Sequence, residues 1–413
     1  MKVCVLALAA TCLLLASDPC QAATALKAQS DFERVDLVPR PRIADAAECM
    51  QSQAAALAMS PPEERALLYY RKGYCAFAGA TATWDPRQFL AAVTEFDKAI
   101  EAWPERTRKS AKHAAPEPVP AALRVFAAIV RLHAASGAVA DGARQEIAAA
   151  LELPSCNSYL MPAAFCAQLL SAGSQWLGWF ALLGSQSDEA PRHFAGPPDS
   201  GWSAWAQGRH DFDNARYAAA ARQYANAIDR WKQIWQGEGP TFLQALGPRP
   251  QYASALADWG GARLLAGDLP GAILTLDASL QADSASPHAL FLRARAKELA
   301  GRMDEALADY NLASRTAFAA ARDLASGEAH LYRGIVLYRR QDFAGAEEEF
   351  SSALNFEMTG ALRPDARAWR HLAAMAAGSC GLARQSLNLA LAAVSPFFPQ
   401  AEARALASAC GGA

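Results

Sequence analysis

Residues 301–315 read GRMDEALADYNLASR, and the spacing inside this stretch decides the fold. Ala306, Tyr310 and Ala313 stand four and then three residues apart, so on a helix they share one face, a large side chain between two small ones. Thirty-four residues earlier, GDLPGAILTLDASLQ places Ala272, Leu276 and Ser279 at the same offsets, with Gly267 matching Gly301. Further on, QDFAGAEEEFSSALN supplies Ala346, Phe350 and Ala353, 40 residues after the middle copy; the six extra residues fall around RTAFAAARDLASGEAH. Upstream lie Ala220, Tyr224 and Ala227, and far upstream Ala92, Phe96 and Ala99, while Ala383, Leu387 and Ala390 repeat the spacing weakly at the far end. Each copy has a second helix ahead of it. Twelve residues before the first alanine stands Gly208, Gly260 or Gly334, with Ala294 in that place in the fourth complete copy.

This pattern resembles the tetratricopeptide repeat, a helix-turn-helix unit whose small positions let two helices approach and whose aromatic position fills the gap between them. Gly208, Ala220 and Tyr224, Gly260 and Ala272, Ala306 and Tyr310, and Gly334, Ala346 and Phe350 are the matching positions. The resemblance implies an all-α fold, a right-handed superhelical solenoid. It is good over about residues 201–395 and moderate over 63–104. In the first copy Gly73 precedes Ala92 by 19 residues, so GATATWDP reads as a lengthened turn.

The N-terminal residues MKVCVLALAATCLLLASDPCQA carry a lysine, a short apolar run and small residues, which predicts a signal peptide over 1–22. Cys20 follows Ser17, Asp18 and Pro19, unlike a lipidated cysteine, so the chain is expected to be periplasmic or secreted, with no transmembrane segment. Of nine cysteines, Cys49, Cys75, Cys156, Cys166, Cys380 and Cys410 then remain, an even number that favours disulfides among 15 possible connectivities. Near-neighbour pairing is the simplest choice, with Cys380 and Cys410 stapling the terminal repeat.

Along the chain, 23–43 is polar and interrupted by proline, which predicts an extended arm. Residues 44–110 hold N-terminal helices with a divergent repeat, with Pro104 expected to end the last of them. Residues 111–200 form a helical region with decayed repeats: a hairpin around Gly137 and a half repeat marked by Gly178, Ala190 and Phe194. The array occupies 201–395, and 396–413 form a C-terminal capping segment. The insertion Gln236–Pro250 is expected as an edge loop, where function often collects. Asp268 and Asp342, eight residues after Gly260 and Gly334, fall at helix starts as N-caps.

With 52% apolar and 19% charged residues the chain buries a large core, and a net charge of −2 leaves no electrostatic footprint for nucleic acid. The one basic cluster, ERTRKSAKH at 105–113, reads as a solvated linker. There is no nucleophile elbow, zinc-protease pair, phosphate loop or dinucleotide fingerprint. No cofactor or metal is expected. The resemblance implies a concave groove lined by first helices, with ligand-facing positions three residues before and one after each motif glycine. Here these are Trp205 and Arg209, Ala257 and Gly261, Phe291 and Arg295, and Leu331 and Ile335. Tyr338, Arg339, Trp202 and His288 extend the surface. Aromatic and arginine side chains are common interface anchors, although Trp205 and Phe291 could equally pack against the insertions before them. The expected function is a non-enzymatic scaffold of the bacterial cell envelope that binds a protein, peptide or helix. The rival is a glycan-binding or carbohydrate-active cleft near residues 193–214, where His193, His210 and Asp211 lie among aromatics. A third is a purely structural repeat.

Overall fold

In a computed structural model, the structure describes residues 18–36, 40, 42–110, 119–134, 138–152, 163–183, 189–194, 201–320, 327–356, 358 and 362–410. These residues are all-α, with helices packing on their neighbours in chain order as TPR-like hairpins. The chain divides into two compact units: residues 1–206 with 229–249, and residues 207–228 with 250–413.

Unit 1 contains α1 (Asp18–Asp36), α2 (Ile43–Met59), α3 (Pro62–Thr83), α4 (Pro86–Ser110), α5 (Ala121–Ala134), α6 (Ala138–Leu151), α7 (Ala163–Leu183) and α8 (Ala190–His193). The arm expected over 23–43 is instead helical through residue 36. Its apolar positions Ala28 and Val35 are buried, and Gln53 donates to the Ala28 carbonyl at 2.6 Å. Pro104 does not end α4 either, which runs on to Ser110. The Gly73–Ala92 spacing is resolved by helix rather than turn. Helix α3 continues to Thr83 and stops at Trp84, which takes the left-handed conformation at φ 54°. The added residues are shared between the end of α3 and the start of α4, roughly one turn on each arm, so Gly73 still faces Phe96, whose ring would lie 3.1 Å from a Cβ at that position. Gly178 faces Phe194 in the same way, with α8 only four residues long, a half repeat.

The core of unit 1 is aromatic. Tyr74, Phe77, Phe126, Phe165 and Phe242 form one set of stacked and edge-on rings. Phe242 belongs to the insertion expected as an edge loop. From Phe242 on that loop is largely buried: Leu246 is fully enclosed, its carbonyl accepts from Trp176 Nε1 at 2.9 Å, and the Pro248 carbonyl accepts from Trp202 Nε1 at 3.0 Å. Apolar side chains and two indole donors outweigh its glycine- and proline-rich composition. Cys49 is bonded to Cys75, tying α2 to α3. Cys166 is also disulfide-bonded, and Cys156 lies outside the described residues.

Unit 2 takes up the chain within α9 (Trp202–Asp213) and α10 (Tyr217–Trp231) and continues through α11 (Tyr252–Leu265), α12 (Leu269–Ala282), α13 (Pro287–Leu299), α14 (Met303–Ala320), α15 (Gly327–Arg339), α16 (Phe343–Asn355), α17 (Leu362–Ala376), α18 (Cys380–Ala390) and α19 (Gln400–Ala409). Inside the hairpins a bare backbone meets a large side chain. A Cβ on Gly208 would lie 2.7 Å from the Tyr224 ring, one on Gly260 2.5 Å from Leu276, and one on Gly334 2.5 Å from Phe350. Asp268 accepts from the Gly271 N–H at 3.0 Å and Asp342 from the Gly345 N–H at 3.1 Å, the caps expected from the glycine offset. The hairpin turns share a left-handed residue: Ala215 (φ 56°), Gly267 (84°), Gly301 (76°), Gln341 (65°) and Gly378 (94°). Only three of these are glycine, so the sequence shows the regularity incompletely.

Candidate functional site: a channel in unit 2

The first helices of the hairpins, α9, α11, α13, α15 and α17, contribute one lining, and a single segment crosses it. Residues 396–413, expected as an end cap, do more than close the last hairpin. After α18 the chain turns back over these helices as a strap. Asp365 on α17 accepts from the Ser395 N–H at 2.6 Å and from its hydroxyl at 2.5 Å. Phe398 packs edge-on against Trp369 at 5.3 Å, and Phe397 lies 6.3 Å from the Phe212 ring of α9 and beside Gly261 of α11. Glu402 on α19 accepts from Tyr338 Oη at 3.1 Å and from Arg339 Nη1 at 2.7 Å. The Cys380–Cys410 disulfide ties the start of α18 to the end of α19 and so closes the strap into a covalent loop.

Between strap and helices remains a cavity of about 540 Å³. Phe212, Phe291, Leu292, Tyr332, Val394 and Phe397 supply its apolar walls. Its charged and polar lining comes from Arg209 and Asp213 on α9, Asp258 on α11, His288 on α13 and Glu328 on α15. Arg209 Nε lies 3.2 Å from Asp213. Burial alone would lower the Arg209 pKa, but the charges of Asp213, Tyr224 and Asp258 outweigh it and hold the guanidinium charged. Burial pushes the Asp258 carboxyl up to about 6 against the opposing pull of Arg209. The same cause depresses His288. Asp365 is pushed up to about 6 by burial, its two Ser395 hydrogen bonds pulling the other way.

The ligand-facing residues expected from sequence separate into four groups. Arg209, Phe291 and Gly261 line the cavity, as does His288. Trp205 belongs to unit 1, its ring 5.3 Å from Trp231. Arg295, Tyr338 and Arg339 are engaged within the protein. Arg295 pairs with Glu298 at 2.9 Å, and Arg339 pairs with Glu298 at 2.7 Å and with Glu402 at 2.7 Å, its guanidinium 5.2 Å from the Trp369 ring centre. Glu298 also accepts from Tyr310 Oη at 2.8 Å. Ala257, Leu331 and Ile335 are buried. Asp258, Glu328, Tyr332 and the strap were not singled out from sequence. Asp258 stands two residues before a motif glycine, and its chemistry there becomes visible only when the strap closes the space.

In the glycan-cleft stretch, residues 195–200 lie outside the described residues. Asp211 is buried and accepts at Oδ1 from Arg216 Nη2 at 2.8 Å and from Gln207 Nε2 at 3.1 Å, which commits its carboxylate to the turn after α9. The His210 carbonyl accepts from Asn214 Nδ2 at 2.9 Å, a further cap of the same turn. Among the described residues no group of three or more His, Cys, Asp or Glu side chains is close enough to hold a metal, and no helix is long and apolar enough to cross a membrane.

No family model matches the chain, and no curated protein matches it. Solved structures do. Yeast Tom70 is similar at 12% identity over 94% of this chain and 88% of that one, with a TM-score of 0.37. The Cut9–Hcn1 hetero-tetramer of APC/C is similar at 13% identity over 94% and 93%, with a TM-score of 0.33. Naa15/Naa10 bound to HypK-THB is similar at 11% identity over 89% and 65%, with a TM-score of 0.28. The fold class rests on the hairpins and on the close glycine contacts inside them, not on these likenesses.

Proposed function

We propose that this protein is a non-enzymatic interaction scaffold of the bacterial cell envelope that holds a segment of a protein partner in the unit 2 channel. The observation that carries the reading is the strap itself. A stretch of main chain already lies against the first helices, anchored through a backbone N–H, a hydroxyl and two phenylalanines. That is the manner in which an extended peptide is held: a few polar contacts fix its register and side chains fill pockets. The cavity beside it leaves room for a second segment, at a volume within the usual range of ligand sites. The bridged pairs Cys49–Cys75 and Cys380–Cys410 support an oxidising compartment, in line with the N-terminal residues.

The test is photo-crosslinking of the full chain in its native host. A benzophenone side chain replaces Glu328 in the channel and, as control, Leu274, which is exposed on α12. A discrete protein adduct from position 328 alone is the expected result. Adducts from 274 alone, from both positions or from neither would overturn the channel reading.

A further inference from the structure

Resting on the channel reading, we infer that the partner segment presents a lysine or arginine side chain, seated between the aromatic walls of the unit 2 channel with the Asp258 carboxylate as its counter-ion. The charges of the lining are unequal. Arg209 is ion-paired with Asp213, and the Asp258 carboxylate also acts on it. Among the described residues no donor reaches Asp258 within hydrogen-bonding or ion-pairing distance. Asp258 is partly exposed and lines the cavity, so its carboxylate is open to a ligand cation.

The walls suit the same ligand. Phe291, stacked on Tyr332 at 5.3 Å, and Phe212, 6.3 Å from Phe397, line the space beside the carboxylate. Cations settle over such faces, more strongly when desolvated. The chain contains a filled example of this seat. Arg339 lies 5.2 Å from the Trp369 ring and 5.3 Å from that of Tyr338, with Glu298 and Glu402 as counter-ions. The channel offers aromatic rings and carboxylates in the same combination, with no side chain of the protein's own on Asp258. An anionic segment would meet the Asp258 carboxylate, and a wholly apolar one would cover it without a partner.

The experiment uses the full chain and an array of acetylated, amidated random dodecapeptides. Lysine and arginine should be enriched among the bound spots, next to apolar residues. The strongest lysine peptide and its norleucine counterpart are then compared in solution. The lysine form should bind about tenfold more tightly, the combined effect expected of one desolvated ion pair and a cation–π contact. Asp258→Asn should erase that ratio while leaving norleucine binding in place, and Arg209→Gln should widen it by removing the competing cation. The opposite signs separate recognition from damage to the fold. If Asp258→Asn does not fold, the lysine-to-norleucine ratio in the native chain and in Arg209→Gln decides. Bound peptides without cation enrichment, or a ratio unchanged in both variants, would overturn this inference and leave the channel reading standing. An array on which nothing binds would overturn both.

Discussion

Asp365→Asn should stabilise the protein above pH 6 and change little near pH 4. Two effects compete at this carboxyl, which is 3% exposed. Burial favours the neutral acid, while the Ser395 N–H and hydroxyl, at 2.6 and 2.5 Å, favour the carboxylate. Burial wins, and the group titrates at about 6 instead of 3.8. That gap corresponds to about 3 kcal/mol, at about 1.36 kcal/mol for each pH unit. A group whose folded pKa is raised contributes stability that is fully present below its unfolded pKa and is lost as pH rises through the folded one. The window here runs from about 3.8 to about 6. Asparagine does not titrate and keeps the shape, so the stability of the variant minus that of the native chain should rise across this window, by up to about 3 kcal/mol. Urea unfolding of both full-length proteins at half-unit steps from pH 4 to 7 measures it. Asp258, which also titrates at about 6, is common to both proteins and cancels. A difference that stays flat, or falls with pH, would mean that the Ser395 hydrogen bonds outweigh burial and would refute the reasoning.

His133, buried among Phe77, Phe89 and Trp176, is pushed down to about 4 from 6.5, so the native chain should lose about 3 kcal/mol as pH falls through that interval, and His133→Gln should flatten the loss in the same urea series. Replacing Cys380 and Cys410 together by serine opens a 30-residue loop and should cost about 3.5 kcal/mol in the chain-entropy treatment, with hydrogen exchange rising first at strap amides 392–398. Gly334→Ala drives a methyl to about 2.5 Å from the Phe350 ring and should lower stability by about 1–3 kcal/mol, read as a fall in Tm; no fall would mean that the hairpin relaxes at little cost.

Much of the hairpin architecture is legible because it is local. Gly334 and Phe350, or Asp342 and Gly345, lie within one repeat, and helical spacing alone brings them together. The rest depends on pairs far apart in the chain. Arg339 and Glu402 are 63 residues apart, and Ser395 and Asp365 are 30 apart, so no periodicity announces either. Sequence reasoning chose a face that carries arginines and aromatics, but it could not see that Glu298 and Glu402 already neutralise two of the arginines. The buried insertion around Phe242 and Leu246 was misread for a related reason: glycine and proline mark irregular backbone, and irregular backbone can still fill a core when indole donors satisfy its carbonyls.

The lengthened α3 has a consequence for how such arrays change length. Compared with the Gly334 copy, α3 gains five residues after Gly73 and α4 three before Ala92, roughly one helical turn on each arm, so Gly73 and Phe96 keep their facing positions on the two helices. One or two additional residues would swing Gly73 away from Phe96 and put another side chain against its ring. Hairpin arms can therefore grow together by about one turn each, roughly 5 Å, without a new interface having to be invented. A fixed-period scan sees such a copy as degenerate, although its packing is intact.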